Sequence, residues 1–444
     1  MHRKFLVFIV LIIILMSGTF TSLATQDNII HSTQNNQEFD LLIIAPNDFK
    51  EEISKLITHK EDMGIKSIFK TTEDIYRVYA GEDKPEQIKK CIKEAIETNH
   101  ISFVLLFGGL DQIPMRKTSV SWEYFGSLVV PDVITDLYYA DIYDEQGNFS
   151  TWDQNQDGVY SEVHMIMNQE SPFDESFVII DEIQGIPDIM IGRIPCDTIQ
   201  EAASMVNKII LYETITYDTD WFHRIILMGG DTFPSVGGIN EGEYVTEYIG
   251  SILPSFTQVR LWASQDTFRT SIINRELSDG AGFVSYSGHG LPFSIATSKT
   301  DASSQIYYFL PFTLNVQNTN KFPIMYFDAC LTGALDHQWH TLHIPCFAWS
   351  LLKRPTTGAI ACIAATRVGF GGFAGDPFLA GASALHRFFF ESYEPGIHLG
   401  EMFQKAQLKF INTVSEQVIY DPLTLQEFTL YGDPTLKIGG YPIS

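Results

Sequence analysis

The chain has 444 residues, of which 45% are hydrophobic and 13% aromatic. This composition supports a large buried core and excludes a disordered or low-complexity protein. Its 29 Lys and Arg residues stand against 54 Asp and Glu residues, which gives a formal net charge of −25. Because such a chain repels phosphate backbones, we expect no nucleic-acid partner. Five cysteines are too few for a disulfide scaffold in a chain of this length.

The first 24 residues are typical of a secretory signal peptide. A basic start precedes an apolar run over residues 5–16, and Ser22-Leu23-Ala24 supplies the small residues of a cleavage site. An uncleaved membrane anchor is the alternative, although a spanning helix needs about 20 apolar residues. We therefore expect a secreted, extracellular protein that is attached to a membrane or cell surface only if this segment is retained. Residues 25–38 are polar and predict a flexible lead-in.

Beyond the lead-in, apolar runs alternate with segments of helical periodicity. The predicted strands of the first half are residues 39–45, 65–69, 101–107 and 187–192, with an irregular aromatic-rich segment over 111–185. Those of the second half are residues 224–231, 282–287, 322–328 and 358–364. Strands separated by helices imply a parallel sheet with covered faces. The sequence thus predicts an α/β fold with two parallel-sheet subdomains packed side by side, over 39–217 and 218–440, followed by a tail over 441–444.

Two reactive side chains follow strand ends in the second half. Cys330 and His289 each stand two residues beyond a predicted strand, and glycine or alanine flanks both. Open parallel sheets place their ligand sites at the carboxyl ends of strands. A thiol nucleophile needs a nearby imidazole, which assists thiolate formation or protonates the leaving amine. From the residues alone, a buried cysteine and a core histidine with satisfied hydrogen bonds are an equal alternative.

The blocks around this pair carry a family resemblance. Segments 285–290 (SYSGHG) and 327–333 (FDACLTG) resemble the His-Gly and Ala-Cys blocks of gingipain-type cysteine peptidases, peptidase family C25, which share a fold lineage with caspases. Further similar blocks are VLLFGGLDQIP (104–114), IGRIP (191–195), PCFA (345–348) and YGDPTL (431–436). The resemblance covers residues 39–440 and implies a caspase/gingipain-like fold.

This resemblance implies a cysteine endopeptidase that acts on proteins or peptides through an acyl-enzyme thioester. Cys330 would attack the scissile carbonyl and His289 would protonate the leaving amine, while the backbone N–H groups of Cys330 and Gly290 would hold the oxyanion. Asp231 matches by position the acidic residue that supports the histidine in this family. A helix-capping or loop aspartate is the alternative for Asp231. No organic cofactor is expected, and the oligomeric state is left open.

The sequence departs from the family pattern in three respects. The aspartate that selects a basic residue before the scissile bond has no unambiguous counterpart, since Glu241 and Glu243 stand at a helix start, where acidic residues are usually dipole partners. His289 and Cys330 are 41 residues apart (330 − 289), with polar, insertion-like sequence over 298–320. We also expect neither a long pro-segment nor a further module after the closing block.

An acidic loop predicts a structural calcium ion. Oxygen-bearing side chains alternate from Asp153 to Asp157 and are followed by Gly158, as in calcium loops. An EF-hand would need a glutamate where His164 stands, so a shorter loop is expected. Its predicted ligands are Asp153, Asn155, Asp157, the Val159 carbonyl and Glu162. An acidic turn without a metal is the alternative.

Three histidines spaced by three residues, His337, His340 and His343, also raise the question of a metal. Because that spacing drifts around a helix, we expect a polar loop near the rim of the active site rather than a zinc site.

Two other functions remain open at this level. The same dyad could catalyse transpeptidation, as in sortase-like relatives, if an amine replaces water in attacking the thioester. A non-catalytic calcium-binding surface protein with an unused dyad is the third possibility.

Overall fold

The computed structural model describes residues 38–124, 127–129, 132–167, 175–234, 238–300, 302, 304–339, 342–369, 377–378, 381–414 and 420–442. The predicted signal peptide (1–24) and all but the last residue of the predicted lead-in (25–38) lie outside these residues. Within them, no helix has the length and apolar character needed to cross a membrane.

Both halves of the described chain contribute strands. Those of the first half are β1 (Leu41–Ala45), β2 (Ser67–Thr71), β3 (Phe103–Phe107), β4 (Arg116–Tyr124), β5 (Ser127–Val129), β6 (Asp132–Thr135), β7 (Val163–Met167), β8 (Glu175–Ile179) and β9 (Met190–Ile194). Those of the second half are β10 (Arg224–Gly229), β11 (Thr257–Trp262), β12 (Phe283–Ser287), β13 (His289–Leu291), β14 (Ser294–Ser298), β15 (Gln305–Phe309), β16 (Ile324–Asp328), β17 (Gln338–Trp339), β18 (Leu342–His343), β19 (Ala361–Ala365) and β20 (Phe428–Tyr431).

Helices connect and cover these strands. They are α1 (Lys50–Asp62), α2 (Thr72–Val78), α3 (Lys84–Asn99), α4 (Leu137–Ala140), α5 (Ile199–Ile215), α6 (Glu241–Ile252), α7 (Thr270–Asp279), α8 (Phe347–Leu352), α9 (Gly381–Glu391), α10 (Leu399–Val414) and α11 (Tyr420–Glu427), with short 3₁₀ helices at Asn47–Phe49 and Leu310–Asn315. Several helices are capped by the side chain of the residue that precedes them. At the start of α5, for example, the Thr198 side chain accepts a hydrogen bond from the Glu201 N–H.

Ten strands form one sheet in the order β11-β10-β12-β16-β19-β20-β9-β3-β1-β2. Neighbouring strands are parallel except β19 and β20, which are antiparallel. The predicted α/β fold with a parallel sheet is therefore confirmed. Strands from both predicted halves share this sheet, and β20, which the sequence pattern did not predict, joins them. The bounds predicted for the subdomains stay a prediction.

The inner strands of the sheet, including β1 and β3, are buried because helices cover its faces. β1 reads LLIIA and β3 reads FVLLF, and every residue of both is buried. Such unbroken apolar runs are typical of parallel strands, which have no solvent face. Burying one Leu, Ile or Phe side chain stabilises the fold by about 1.5–3 kcal/mol.

A buried arginine holds the IGRIP block. The Arg193 guanidinium in β9 is fully buried, and its Nε and Nη2 each donate to the Asp136 carboxylate at 2.7 Å. Its Nη1 donates to the Ile113 carbonyl at 2.8 Å. Because a buried cation without its partner is strongly destabilising, this bidentate pair fixes β9 against the segment before α4.

A second buried ion pair holds the closing YGDPTL block. Lys60 Nζ on α1 lies 2.8 Å from Glu213 Oε1 on α5 and 2.7 Å from Asp433 Oδ2 just beyond β20. The two carboxylates raise the pKa of Lys60 despite its burial. The block therefore anchors the segment after β20 to two helices of the first half.

Two segments that the sequence pattern predicted to be irregular or polar are ordered. The aromatic-rich segment over 111–185 contains strands β4 to β8, four of which run in the order β5-β4-β7-β8 while β6 pairs with β4. The segment over 298–320 supplies β15, which pairs with β14, and the second 3₁₀ helix. A separate three-stranded sheet, β13-β14-β15, leads away from His289.

Candidate active site

The sheet brings the predicted cysteine and histidine to the same edge. β12 and β16 are adjacent and parallel, with Ser287 opposite Asp328 in the register. His289 and Cys330 each stand two residues beyond this pair. The Gly288 N–H donates to the Asp328 carbonyl at 3.1 Å, which keeps the two chain segments together past the strand ends.

Both side chains line one cleft at this edge. Its lining residues are Thr232, Phe233, Glu241, Ser287, Gly288, His289, Asp328, Ala329, Cys330, Gly369, Pro377, Ala382 and Ser383. The set includes two carboxylates and, among the described residues, no lysine or arginine. The cleft thus combines a thiol and an imidazole in an acidic setting.

The Cys330 side chain is a protonated thiol in the resting site. It is half-buried, and its Sγ donates to the Gly369 carbonyl at 3.5 Å. Burial is the main cause that raises the pKa of Cys330 to about 11. A thiolate therefore has to form as a substrate enters, with a base to accept the proton.

A backbone carbonyl orients the histidine. His289 Nε2 lies 2.8 Å from the Thr232 carbonyl oxygen, and the ring meets Phe233 edge-on at 5.8 Å between centroids. Since a carbonyl oxygen can only accept, Nε2 carries the hydrogen, and Nδ1 of the neutral ring has the basic lone pair. Thr232 was not predicted from sequence, because any residue type can supply a main-chain oxygen.

Glu241 positions this carbonyl. Its Oε2 accepts hydrogen bonds from the N–H groups of Thr232 at 3.0 Å and Phe233 at 3.3 Å. Glu243 instead accepts from Ser264, through the N–H at 2.9 Å and the hydroxyl at 2.7 Å. Of the two glutamates considered from sequence, only Glu241 is among the residues that line the cleft.

Asp231 lies immediately before the carbonyl that contacts His289. Its backbone pairs with Ser298 of β14, with the Asp231 N–H donating at 2.9 Å and its carbonyl accepting at 3.1 Å. The aspartate itself is buried. It is thus in the segment that orients His289, and its predicted supporting role stays a prediction.

Gly290 packs directly against the nucleophile loop. A Cβ at this position would overlap the carbonyl oxygen of Cys330 and would lie 2.9 Å from the Ala329 Cβ. No side chain fits there, which explains the glycine. The predicted oxyanion residues, Gly290 and Cys330, are therefore in contact, and their use as donors stays a prediction.

A buried polar network lies beneath the cleft. Asp328 Oδ2 accepts from the hydroxyls of Ser287 and Ser383, both at 2.8 Å, and lies 3.6 Å from His386 Nδ1. His386 is fully buried on α9, its Nε2 lies 3.1 Å from Ser285 Oγ, and burial lowers its pKa. No sequence pattern predicted this network, because His386 is far from Asp328 along the chain.

A second buried acid lies behind the cleft wall. Glu427 ends α11 and is 1% exposed, and its Oε2 has no hydrogen-bond partner in the described structure. That oxygen would lie 3.9 Å from a Cβ on Gly369, the residue whose carbonyl accepts from Cys330. Burial raises the pKa of Glu427 well above its usual range, which favours the neutral form of this carboxyl.

The predicted calcium loop is a tight turn. Asp153 accepts from the N–H groups of Asp157 at 3.1 Å and Gly158 at 3.0 Å, whereas Glu162 pairs with His164 at 3.2 Å. Across the described residues, no three His, Cys, Asp or Glu side chains form a group that could hold a metal ion. Glu162 is thus engaged elsewhere in this conformation, and calcium binding stays a prediction.

The histidine triplet is only partly within the described structure. The His337 ring meets Phe293 edge-on at 5.2 Å, and His343 ends the short strand β18. His340 lies outside the described residues. The predicted loop is in part a β-hairpin formed by β17 and β18.

Comparison with known proteins identifies the family of the chain. The model of peptidase family C25 matches residues 34–439. Gingipain R2 from Porphyromonas gingivalis (strain ATCC BAA-308 / W83) is 22% identical over 336 residues, covering 73% of this chain and 36% of Gingipain R2. The chain therefore spans about a third of the length of this relative.

Solved structures share the fold. The crystal structure of the Arg-specific cysteine proteinase gingipain R (RGPB) aligns with a TM-score of 0.62 at 18% identity, covering 91% of this chain and 79% of that one. A complex of the pro- and mature domains of Porphyromonas gingivalis RgpB aligns with the same TM-score and identity, covering 90% and 79%. The predicted caspase/gingipain-like fold is thereby confirmed.

Proposed function

The chain belongs to peptidase family C25, and from this premise we propose that it is a cysteine-type endopeptidase with Cys330 as nucleophile and His289 as acid and base. The observation that carries the proposal is the meeting of Cys330 and His289 in one cleft at the carboxyl edge of the sheet, with the Gly290 backbone packed against the Cys330 carbonyl.

The chemistry follows from the orientation of the histidine. As Cys330 Sγ attacks the scissile carbonyl, its proton passes to His289 Nδ1, and the resulting imidazolium keeps Nε2–H on the Thr232 carbonyl. The developing oxyanion is held by backbone N–H groups at Cys330 and Gly290. The imidazolium then protonates the leaving amine, which leaves a thioester on Cys330. Water, deprotonated by His289, attacks the thioester and releases the carboxylate and the thiol.

The substrate is a polypeptide with a cationic side chain next to the scissile bond. Glu241 and Asp328 line the cleft, and no described lining residue carries a positive charge. A lysine or arginine side chain that enters it gains charge-assisted hydrogen bonds, whereas an acidic one is repelled. One structural neighbour is described as an Arg-specific cysteine proteinase, which agrees with this preference.

Cleavage of a peptide library tests the proposal. Each peptide varies the residue before the scissile bond, and the full chain is compared with Cys330→Ala. Cys330-dependent cleavage after lysine or arginine is the expected result. An amine acceptor in a parallel reaction separates hydrolysis from ligation, since a ligated product would identify a transpeptidase. Binding of peptides without any cleavage would favour a non-catalytic protein.

Export and calcium binding are further parts of the proposal. The basic and apolar pattern of residues 1–24 supports export, and N-terminal sequencing of the protein from culture medium is expected to find a start at Thr25. The oxygen donors of Asp153, Asn155 and Asp157 support a structural calcium ion in the loop that precedes β7.

A further inference from the structure

Exposed apolar side chains are concentrated in one segment of the described chain. Among the large hydrophobic residues that are exposed, five fall within residues 291–314: Leu291, Tyr307, Phe309, Phe312 and Leu314, each between 37% and 69% exposed. Single exposed hydrophobic residues are ordinary, whereas a contiguous group marks a contact surface. Four of these residues, Leu291, Tyr307, Phe309 and Phe312, form a surface that we name the aromatic shelf.

The register of the small sheet places this shelf on the face that carries His289. His289 lies opposite Ala296 on β14, and Ala296 lies opposite Tyr307 on β15. In the next row of the same face, Leu291 on β13 and Phe309 on β15 both lie opposite one residue of β14. Because directly opposed residues point to the same side of a sheet, His289, Leu291, Tyr307 and Phe309 share one face.

The shelf is held in shape by its own contacts. The rings of Tyr307 and Phe309 are stacked, with centroids 5.2 Å apart and planes at 9°, and Phe309 meets Phe312 edge-on at 5.8 Å. On the opposite face of β15, Tyr308 is buried and packs edge-on against Phe347. The exposed rings therefore stand on a strand that the core fixes, and a ligand needs little ordering to use them.

The distance from the histidine suits a polypeptide bound across the cleft. Two spacings between strands separate His289 from Tyr307, which is about 10 Å at about 4.8 Å per spacing. An extended chain advances about 3.3 Å per residue, so it reaches Tyr307 about three residues from the bond at His289.

We propose that the aromatic shelf is a substrate subsite, which binds an apolar or aromatic side chain about three residues from the scissile bond. The proposal rests on the proposed peptidase function. Continuity with the catalytic face favours the substrate as occupant, because β13 begins at His289 and ends at the exposed Leu291. The preferred substrate thus has a cationic side chain at the scissile bond and an apolar one three residues away.

Internally quenched peptides test the subsite. Each has arginine directly before the scissile bond, and each places phenylalanine or serine at one of the other positions within four residues of the bond. The full chain is compared with the double variant Tyr307→Ser/Phe309→Ser and with Tyr307→Trp/Phe309→Trp. Tyr217→Ser is the matched control, since Tyr217 is 46% exposed and follows α5 in the first half.

We expect phenylalanine at one position, two to four residues from the bond, to raise kcat/KM about 10-fold through a lower KM. The double serine variant should lose that gain and retain the rate of the serine peptide, whereas the tryptophan variant and Tyr217→Ser should keep the gain. This substrate-specific pattern separates a subsite from loss of folding, which would reduce all rates together.

Three outcomes would overturn the proposal. Cys330-dependent cleavage with equal rates across the library would remove the subsite and leave the peptidase function intact. The double serine variant could keep the peptide preference of the wild type but, unlike the other variants, differ from it in mass by sedimentation. That result would identify the shelf as a contact between copies of the chain. No cleavage of any peptide would contradict the peptidase function as well as the subsite.

Discussion

The backbone of Gly290 lies against the carbonyl oxygen of Cys330, so the histidine strand and the nucleophile loop touch without any intervening side chain. Gly290→Ala inserts a methyl group into this contact and should displace the loop. We expect kcat/KM to fall about 100-fold, the usual scale for a misplacement of about 1 Å. Peptide kinetics and a thermal melt measure the effect, and a loss of activity at nearly unchanged Tm is expected. Gly64→Ala is the control for backbone strain alone: its φ of 88° makes alanine costly and should lower Tm, but nothing lies within 4 Å of the added methyl group, so kcat/KM should stay at the wild-type value.

The raised pKa of Cys330 predicts how the free thiol reacts. Because its pKa is raised to about 11, alkylation by iodoacetamide should be slow at pH 7 and accelerate about 10-fold per pH unit up to that value. Mass spectrometry should find Cys330 labelled first, since the other four cysteines, Cys91, Cys196, Cys346 and Cys362, are buried. A rate that levels off below pH 8 would show instead that the resting site holds a thiolate.

Asp231→Asn tests the predicted support of the histidine. The substitution keeps the size of the side chain and removes its charge next to the segment that holds His289 Nε2. We expect kcat to fall about 10-fold with little change in KM, as for a group that matters mainly in the transition state. Asp62→Asn, at the exposed end of α1, should have wild-type kinetics. A wild-type kcat for Asp231→Asn would make this aspartate purely structural.

Glu427→Gln tests the neutral buried acid. Because burial raises the pKa of folded Glu427, its stabilising contribution is full below the unfolded value of about 4.3 and is lost as pH rises toward the folded pKa. Glutamine mimics the protonated form at every pH. Differential scanning fluorimetry should therefore show a Tm about 2–4 °C above wild type at pH 8 and no difference at pH 4. The exposed Glu51→Gln should show no such dependence, and a lower Tm at pH 8 would contradict a neutral Glu427.

Chelation tests the loop over 153–162. If Asp153, Asn155 and Asp157 hold calcium, EDTA should lower Tm by several degrees, and added Ca²⁺ should restore it. The Asp157→Asn variant should have the lower Tm with and without EDTA. An EDTA-insensitive midpoint in the wild type would leave the loop as the hydrogen-bonded turn that Asp153 organises.

The sequence predicted the elements that have a strong local signal. The apolar runs at β1, β3, β12 and β16 are buried parallel strands, and the rule that sites lie at their carboxyl ends brought Cys330 and His289 together. These predictions hold because an unbroken apolar run has few alternatives in a folded chain.

Long-range partners could not be predicted in the same way. The Thr232 carbonyl depends on backbone position, and the contact of His386 with Asp328 joins residues 58 positions apart (386 − 328). The segment over 298–320 was interpreted as polar, yet Tyr307, Tyr308 and Phe309 form a strand there, since pairing with β14 outweighs the polar composition of its flanks. Side-chain pairing across the fold has no counterpart in local periodicity.

The position of β20 late in the chain determines when the central sheet can be completed during biosynthesis. β20 (Phe428–Tyr431) lies between β19 and β9, so the central sheet stays in two pieces until these late residues have left the ribosome. The same segment brings Glu427 behind the cleft and Asp433 to Lys60. A nascent chain that has already exposed Cys330 and His289 therefore still lacks the strand that connects the two parts of its sheet.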